Sequence, residues 1–304
     1  MYTEHLAEFA GQQVIDFNSA EDWRGEGICY RIRAEYDDEV TVADRLEVLA
    51  NQPGASNLKA LVIGAWEEAF ESGGSQELVE RLIESAPRFP NLRSLFFADI
   101  TYEECELSWI QHGDMTPLLQ AFPKLEEFRV RGASGLSFSP LSHAGLKHFA
   151  IESGGTARSI LREISRANLP QLEHLELLLG EPHYGFDGGV EDLQPLLSGK
   201  LFTKLKYLGL MNSEIADEIA AVVVNAPLLQ RLETLDLSMG NLTDAGAKSL
   251  MHLPADSGLK RLKILHHYAS QQAMEELQNQ LSCDLEEEAS ESADGDWRPI
   301  LHAE

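Results

Sequence analysis

A short hydrophobic pattern recurs eight times in this 304-residue chain, at intervals of 21 to 34 residues. Each copy has a leucine, two variable residues, and then hydrophobic residues at its fourth and sixth positions. Because these alternate with period two, each copy is predicted to be a short strand with one buried face. A pattern that returns at such intervals indicates a repeat architecture. The copies begin at Leu58, Leu92, Leu125, Leu146, Leu172, Leu205, Leu232 and Leu259.

Stretches with helical periodicity lie between the strands, for example after Ser75, from Ser159 and from Thr243. Several begin near a serine, threonine or aspartate and are followed by a proline, which are start and stop signals for helices. Each unit is therefore predicted to be a strand followed by a helix. A single unit cannot bury both apolar faces, so stacked units are expected to share one core. Parallel strands would then line a concave side and helices a convex side.

Residues 232–250, LETLDLSMGNLTDAGAKSL, resemble the repeat of the ribonuclease-inhibitor type of leucine-rich-repeat protein. Nearly the whole chain also resembles a family of uncharacterised bacterial leucine-rich-repeat proteins, through stretches such as LVIGAWEEAFE and DWRPILHAE. The resemblance implies an α/β fold, a right-handed leucine-rich-repeat solenoid, and brings no established activity. The asparagine that usually follows the strand is mostly absent, and Asn241 lies one place off. A less regular and more open arc is therefore expected.

Three regions are predicted along the chain. Residues 1–57 lack the repeat and are interpreted as a non-repeat α/β N-terminal cap. They contain two strand-like stretches and one helix-like stretch, at residues 14–18, 28–37 and 42–52. Residues 58–270 hold the eight irregular repeats, and residues 271–304 are predicted to be a capping helix with an acidic tail. In that tail, residues 284–296 carry seven acidic and no basic residues, which is typical of a mobile linker.

Composition excludes several function classes. The formal net charge of -26 disfavours nucleic acid and anionic membrane surfaces, because both are bound through clustered lysine and arginine. No apolar run approaches the roughly 20 residues that cross a bilayer, and the first residues do not form a secretory signal. A cytoplasmic protein is expected. Cys29, Cys105 and Cys283 are far apart and lack CxxC spacing, so neither a disulfide framework nor a structural zinc site is predicted.

The outward strand positions form the first candidate binding surface, apolar in the first two repeats and of mixed charge at the centre. His148 and His174, on adjacent strands beside carboxylates, are a possible transition-metal site. In the favoured alternative, the arginines of this surface pair with Glu152 and Glu176, and the histidines are ordinary polar residues. The predicted partner-binding residues of this concave face are Glu127, Arg129, Arg131, His148, Glu152, His174, Glu176, Tyr207 and Asp236.

A second candidate surface follows the strands of the first two repeats, where acidic and aromatic residues are interleaved. Loops that follow neighbouring parallel strands share one edge, so we expect an acidic and aromatic rim suited to a cationic partner. Ordinary solvated turns with buried tryptophans are the alternative. A third candidate is the insert at residues 180–192, a loop that could reach over the concave face. The rim residues are Trp66, Glu67, Glu68, Asp99, Tyr102, Glu103 and Glu104.

No recognised catalytic motif occurs: GxSxG, GxxxxGK[ST] and HExxH are all absent from the sequence. The chain is therefore predicted to be a protein-protein interaction scaffold without a cofactor, and not an enzyme. Its partner is expected to be a protein with a basic patch. The alternative function is a metal-binding or accessory enzyme subunit that uses the concave His and Glu residues. Self-association is a third possibility, and the sequence leaves the oligomeric state open.

Overall fold

The chain folds into strands and helices that form two compact units. The computed structural model describes residues 2–35, 38–71, 74–293, 295 and 297–303. Within these residues there are twelve strands and eight α-helices. Unit 1 comprises Met1–Glu152 and Ala167–Gln171, and unit 2 comprises Ser153–Arg166 and Leu172–Glu304. Each unit is therefore an α/β structure of its own.

Unit 1 contains a sheet whose strands neighbour one another in chain order. The strands are β1 (Glu8–Phe9), β2 (Gln12–Asp16), β3 (Cys29–Ile32), β4 (Ala60–Ile63), β5 (Ser94–Phe97), β6 (Glu127–Arg131) and β7 (His148–Glu152). β1 is antiparallel to β2, and the later neighbours are parallel. The helices are α1 (Val42–Ala50), α2 (Gln76–Ser85) and α3 (Thr116–Ala121). Short 3-10 turns lie at Ala20–Asp22, Ala55–Asn57, Ala86–Arg88 and Leu107–Trp109.

Unit 2 repeats the same alternation with strands that are all parallel. Its strands are β8 (His174–Gly180), β9 (Tyr207–Ser213), β10 (Thr234–Asp236), β11 (Arg261–Ile264) and β12 (Asp284–Glu287). Its helices are α4 (Arg158–Ile164), α5 (Val190–Leu197), α6 (Ala216–Val223), α7 (Asp244–Leu250) and α8 (Gln271–Gln280). Two 3-10 turns lie at Pro182–Tyr184 and Pro227–Gln230. No helix in the described part of the chain is long and apolar enough to cross a membrane.

The repeated hydrophobic positions lie side by side within each unit. In unit 1, Leu61 is in register with Leu95, and Leu95 with Phe128. In unit 2, the fourth positions of neighbouring strands are likewise in register, so that leucine lies beside leucine from β8 to β11. The fourth- and sixth-position side chains of all eight segments are buried. This confirms the strands predicted from period-two alternation. Burial of each such side chain stabilises the fold by roughly 1.5–3 kcal/mol.

The predicted helices are also confirmed, as α2 to α8, and side-chain caps are present at the last two of them. The side chain of Thr243 accepts a hydrogen bond from the backbone N–H of Ala245 at the start of α7, and Ser270 caps α8 in the same way. The connection between β6 and β7 is the exception. It is the shortest interval in the repeat, and residues 132–147 form turns and isolated bridges in place of an α-helix.

The first 57 residues extend the sheet of unit 1. The predicted strands and helix are present as β2, β3 and α1, and Tyr30 of β3 is in register with Leu61 of β4. Tyr30 thus takes the place of a repeat leucine, although the leucine pattern is absent from this region. Its hydroxyl accepts a hydrogen bond from Arg24 N–H and donates one to Gly25 O, which satisfies the polar end of a buried ring.

The outward face of the first repeats is covered by residues that precede them in the chain. Phe9 and Val14 pack on Val62 and Phe96, and the Phe9 and Phe96 ring centroids are 6.0 Å apart. Cys29 lies in this cluster, where burial raises the pKa of its thiol to about 12. Cys29 is a buried free thiol. The prediction that the first two repeats offer apolar residues to a partner is wrong, since this chain buries them itself.

The acidic stretch after α8 is partly ordered as a strand. Residues 284–287 form β12, which runs parallel to β11 and places Leu285 in register with Leu262. The prediction of a linker from residue 284 is therefore wrong for these four residues. Leu285 continues the leucine ladder of unit 2, and a parallel strand of alternating residues leaves its acidic side chains exposed.

Candidate functional site

A groove of about 660 Å³ lies in unit 1, where β3, β4 and β5 end. Its walls are the loops that follow these strands and residues 3–5, which precede β1. We call it the acidic groove. Five carboxylates line it against one guanidinium, that of Arg33, and the imidazole of His5. The carboxylates belong to Glu4, Glu35, Glu67, Glu103 and Glu104.

The wall after β4 is held in place by Trp66. Its indole N–H donates to the carbonyl of Gly74 at 2.9 Å, and its ring lies 5.4 Å from that of Phe97 and 6.0 Å from that of His112. The next residue, Glu67, accepts a hydrogen bond from Val42 N–H at the first turn of α1, 3.1 Å away. Trp66 is buried, so it supports the groove and does not form an exposed aromatic contact.

A buried carboxylate, Asp99, lies next to the groove residue His5. Its side chain lies 3.1 Å from Arg31 and 3.5 Å from Arg131, and it accepts a hydrogen bond from Leu6 N–H at 3.2 Å. Burial by itself would raise the pKa of Asp99, but the hydrogen bond from His5 and the charges of both arginines outweigh it and lower that pKa. Asp99 therefore stays ionised and joins the strand ends to the residues before β1.

His5 is the second link between these residues and the groove. Its ring nitrogens lie 3.6 Å from the Asp99 carboxylate and 3.4 Å from that of Glu104. Hydrogen bonds to these two carboxylates raise the pKa of His5 to about 9, so the imidazole is charged at neutral pH. Glu104 also pairs with Arg33 at 3.0 Å. The charge of Glu104 is thus largely compensated within the groove.

The raised pKa of His5 predicts that unit 1 loses stability at alkaline pH. A histidine that binds its proton more tightly in the folded state contributes fully below its ordinary pKa of 6.5, and this contribution is lost as pH rises through about 9. We expect the loss to be on the order of 2 kcal/mol in the free energy of unfolding. Urea denaturation between pH 6 and pH 10 measures it, with His5→Gln as the comparison. A slope that persists unchanged in His5→Gln would contradict this assignment.

Two residues predicted as concave contacts, Arg131 and Glu152, form a buried ion pair next to the groove. The Nε of Arg131 lies 2.7 Å from Glu152, and its Nη1 donates to Ile100 O at 2.6 Å. The Tyr2 ring stacks on this guanidinium at 3.7 Å. Arg129 also pairs with Glu152, at 2.6 Å. The arginines were predicted to pair with Glu152 and Glu176, and the part of this prediction that concerns Glu152 is confirmed.

A second set of predicted concave residues is joined by polar contacts in unit 2. His174 lies 2.7 Å from the Glu176 carboxylate and stacks on Tyr207 with ring centroids 3.8 Å apart. The Tyr207 hydroxyl donates to Asp236 at 2.6 Å. Lys263, which was not among the predicted site residues, lies 3.4 Å from Asp236. The polar groups that were predicted to contact a partner thus make contacts within this chain.

The metal-site hypothesis gains no support from these positions. His148 lies in unit 1, opposite Glu127 on β6, and His174 lies in unit 2 beside Glu176. Among the residues that the structure describes, no group of three or more His, Cys, Asp or Glu side chains is placed to hold a metal ion. The hypothesis needs a carboxylate beside the two histidines, because zinc sites in proteins have at least three protein ligands.

The predicted rim and concave residues divide by burial. Those exposed or half-buried are Glu67, Glu68, Tyr102, Glu103, Glu104, Glu127, Arg129, His148, His174, Glu176 and Tyr207. Five others are buried, and assigning them a direct contact with a partner is wrong because their side chains are enclosed by this chain: Trp66, Asp99, Arg131, Glu152 and Asp236. The contributions of His5 and Arg33 were not predicted from the sequence. The available signal was the alternation of Arg31 in β3 with Arg33 directly after it, and both arginines contact Asp16.

Comparison with known proteins identifies a related structure and no family. A crystal structure of a Bacteroides fragilis protein, a structural-genomics target, matches this chain with a TM-score of 0.82 and 29% sequence identity. The match covers 93% of this chain and 79% of that protein. No protein-family model matches the sequence, and no curated protein matches it. The fold is therefore shared with a solved bacterial protein.

Proposed function

We propose that this chain is a protein-protein interaction scaffold whose acidic groove binds a cationic segment of a partner protein. One observation carries the proposal: five glutamates line this cavity, against only two basic side chains, Arg33 and His5. Phe70, whose side chain is 49% exposed, lies on the same wall. An apolar anchor beside several carboxylates suits a segment that carries lysine or arginine next to a hydrophobic residue.

The carboxylates of the groove differ in what they offer to a ligand. Glu104 is held by Arg33 and His5, so it shapes the groove. Glu4, Glu35 and Glu103 are exposed, and Glu67 is half-buried at its edge. These four can neutralise a bound cation with little further desolvation of the protein. Such contacts favour fast association and selectivity for charge, and they weaken as salt screens them.

We also infer the finer architecture from the repeat. The leucine ladders and the strand-helix alternation support units of the leucine-rich-repeat type, wound with right-handed connections as parallel strands generally are. The early strands β1 to β3 and helix α1 would then act as the N-terminal cap. In this proposal the scaffold binds its partner by shape and charge, without a covalent step.

A short fluorescein-labelled peptide of lysines around a central leucine tests the acidic groove. We expect saturable binding that weakens at least tenfold when NaCl is raised from roughly 0.05 M to roughly 0.5 M. Glu67→Gln/Glu103→Gln should weaken binding by about tenfold, because each removes an exposed ion pair with the peptide. Fluorescence anisotropy measures both effects.

The matched control changes the same charge elsewhere on unit 1. Glu47 on α1 and Glu80 on α2 are exposed and lie outside the groove, so Glu47→Gln/Glu80→Gln gives an equal change in net charge. Its affinity for the peptide should stay close to that of the unmodified protein. Equal loss in both double variants would show attraction by net charge alone and would reject the groove as the binding site.

A further inference from the structure

The last described residues of the chain bind across strand ends of unit 2. Residues 299–303, here called the tail segment, contact the same repeat position in three successive repeats. That position, the eighth of each segment, is Asn212, Met239 and His266. All three residues have positive φ, which is uncommon for residues other than glycine. All three also make a hydrogen bond to the tail segment.

Asn212 recognises the backbone of the tail segment through both ends of its amide. The His302 N–H donates to Asn212 Oδ1 at 2.8 Å, and Asn212 Nδ2 donates to the His302 carbonyl. Asn212 is fully buried. A side-chain amide that pairs with both the N–H and the C=O of one residue copies the pairing of a neighbouring strand. These two hydrogen bonds recognise an extended backbone, and they do not involve the side chain of that residue.

Two further contacts fix the segment on either side of Asn212. The Leu301 N–H donates to the Met239 carbonyl at 2.9 Å. The Pro299 carbonyl accepts from the Tyr268 hydroxyl at 2.8 Å and from His266 Nε2 at 3.2 Å. A carbonyl oxygen can only accept, so Nε2 of His266 carries the proton in this contact. Main-chain groups of three tail residues are thus satisfied by unit 2.

Gly154 leaves room for the end of the segment. A Cβ atom at this position would lie 2.0 Å from the carbonyl oxygen of Ala303, far inside van der Waals contact. Gly154 does not have positive φ, so close approach of the tail segment is the reason that glycine suits this position. This is independent of the hydrogen bonds to Asn212.

Two side chains of the segment are enclosed, and the one between them is not. Ile300 is 5% exposed and His302 is 7% exposed, whereas Leu301 is 40% exposed. An aliphatic residue that follows a proline is therefore buried in the site, and so is the histidine two positions later. The ligand that this surface fits is an extended peptide with a proline, a buried aliphatic side chain and a buried histidine, bound largely through its backbone.

We propose that these strand ends of unit 2 are a peptide-binding site, which the tail segment occupies as a ligand carried on the same chain. The site belongs to unit 2 and shares no residue with the acidic groove of unit 1. Unlike a core strand, a ligand of this kind can leave and rebind while unit 2 stays folded. A protein segment of the same chemistry would compete with it.

The test starts from the folded full chain with a sequence-specific protease site inserted between Ser292 and Ala293, both exposed. After cleavage, a labelled synthetic peptide of residues 297–304 should exchange with the released fragment, followed by fluorescence anisotropy. Asn212→Gly keeps the left-handed backbone and removes the amide, and Gly154→Ala adds the clashing methyl group. Each should weaken peptide binding by roughly tenfold or more.

Controls separate binding from folding. Asn225→Gly, an exposed asparagine after α6, should bind the peptide as the unmodified protein does. In the peptide, Ile300→Asp should abolish binding, and Leu301→Asp should have little effect. The proposal is overturned if the labelled peptide does not exchange, if loss of the fragment unfolds unit 2 by circular dichroism, or if Asn212→Gly and Gly154→Ala bind it normally.

Discussion

Glu152→Leu is expected to lower the free energy of unfolding of unit 1 by about 3–5 kcal/mol. Glu152 is buried and pairs with Arg131, which is itself only 2% exposed, and with Arg129. Removing the carboxylate leaves the Arg131 charge enclosed beside Asp99 alone, at 3.5 Å. A buried charge that loses its closest partner keeps its desolvation cost, which makes this loss larger than that of a surface ion pair.

A double variant tests that reason. Arg131→Met/Glu152→Leu removes both charges, so it should be more stable than Glu152→Leu alone even though it carries one more substitution. Denaturation can be followed by tryptophan fluorescence, since Trp23, Trp66 and Trp109 lie in unit 1 and only Trp297 lies in unit 2.

The surface pair of Arg81 and Glu84 on α2 is the matched control. Both side chains are more than half exposed, so Glu84→Leu should cost less than about 1 kcal/mol. If Glu152→Leu cost no more than Glu84→Leu, the burial of the Arg131 pair would not determine its strength.

Phe96→Ala is expected to destabilise unit 1 by about 3–5 kcal/mol and to release the residues before β2. The Phe96 ring is fully buried on the face of the sheet that points away from the leucine ladder. Phe9 packs on it from β1, and the guanidinium of Arg131 lies 5.2 Å from its centroid. Truncation therefore leaves a cavity under a two-residue strand that has few other contacts.

Hydrogen exchange separates this local effect from a general loss of stability. The amides of β1 and β2 should exchange much faster in Phe96→Ala, whereas those of β6 should change only with global stability. Phe70→Ala removes an exposed ring of the same size and should cost less than about 1 kcal/mol. Equal protection of β1 in Phe96→Ala and the unmodified protein would show that Phe96 does not hold the early strands.

The candidate site was only partly predictable from the sequence. The loops after β4 and β5 were expected to be neighbours, because loops after neighbouring parallel strands share an edge, and both line the acidic groove. His5 and Arg33 were missed, since their distance from Glu104 along the sequence gives no sign that they meet it in space. Asp99 was placed on the rim because it follows a strand. Its true partners, Leu6 and Arg31, lie 93 and 68 positions away.

The repeat determined by itself where strands β4 to β11 lie and which side of each carries the buried repeat positions, and a helix follows each of these strands except β6. These features depend on local periodicity, and a period-two pattern with leucine at a constant place has one register that buries it. Only the tertiary structure decided which outward side chains stay accessible. Phe96 and Arg131 occupy outward positions of neighbouring strands, the fifth and the seventh of their repeats, and residues before β2 pack on both: Phe9 on Phe96 and Tyr2 on Arg131. Exposure is decided by which distant segment packs on a position, and periodicity within one strand carries no information about that.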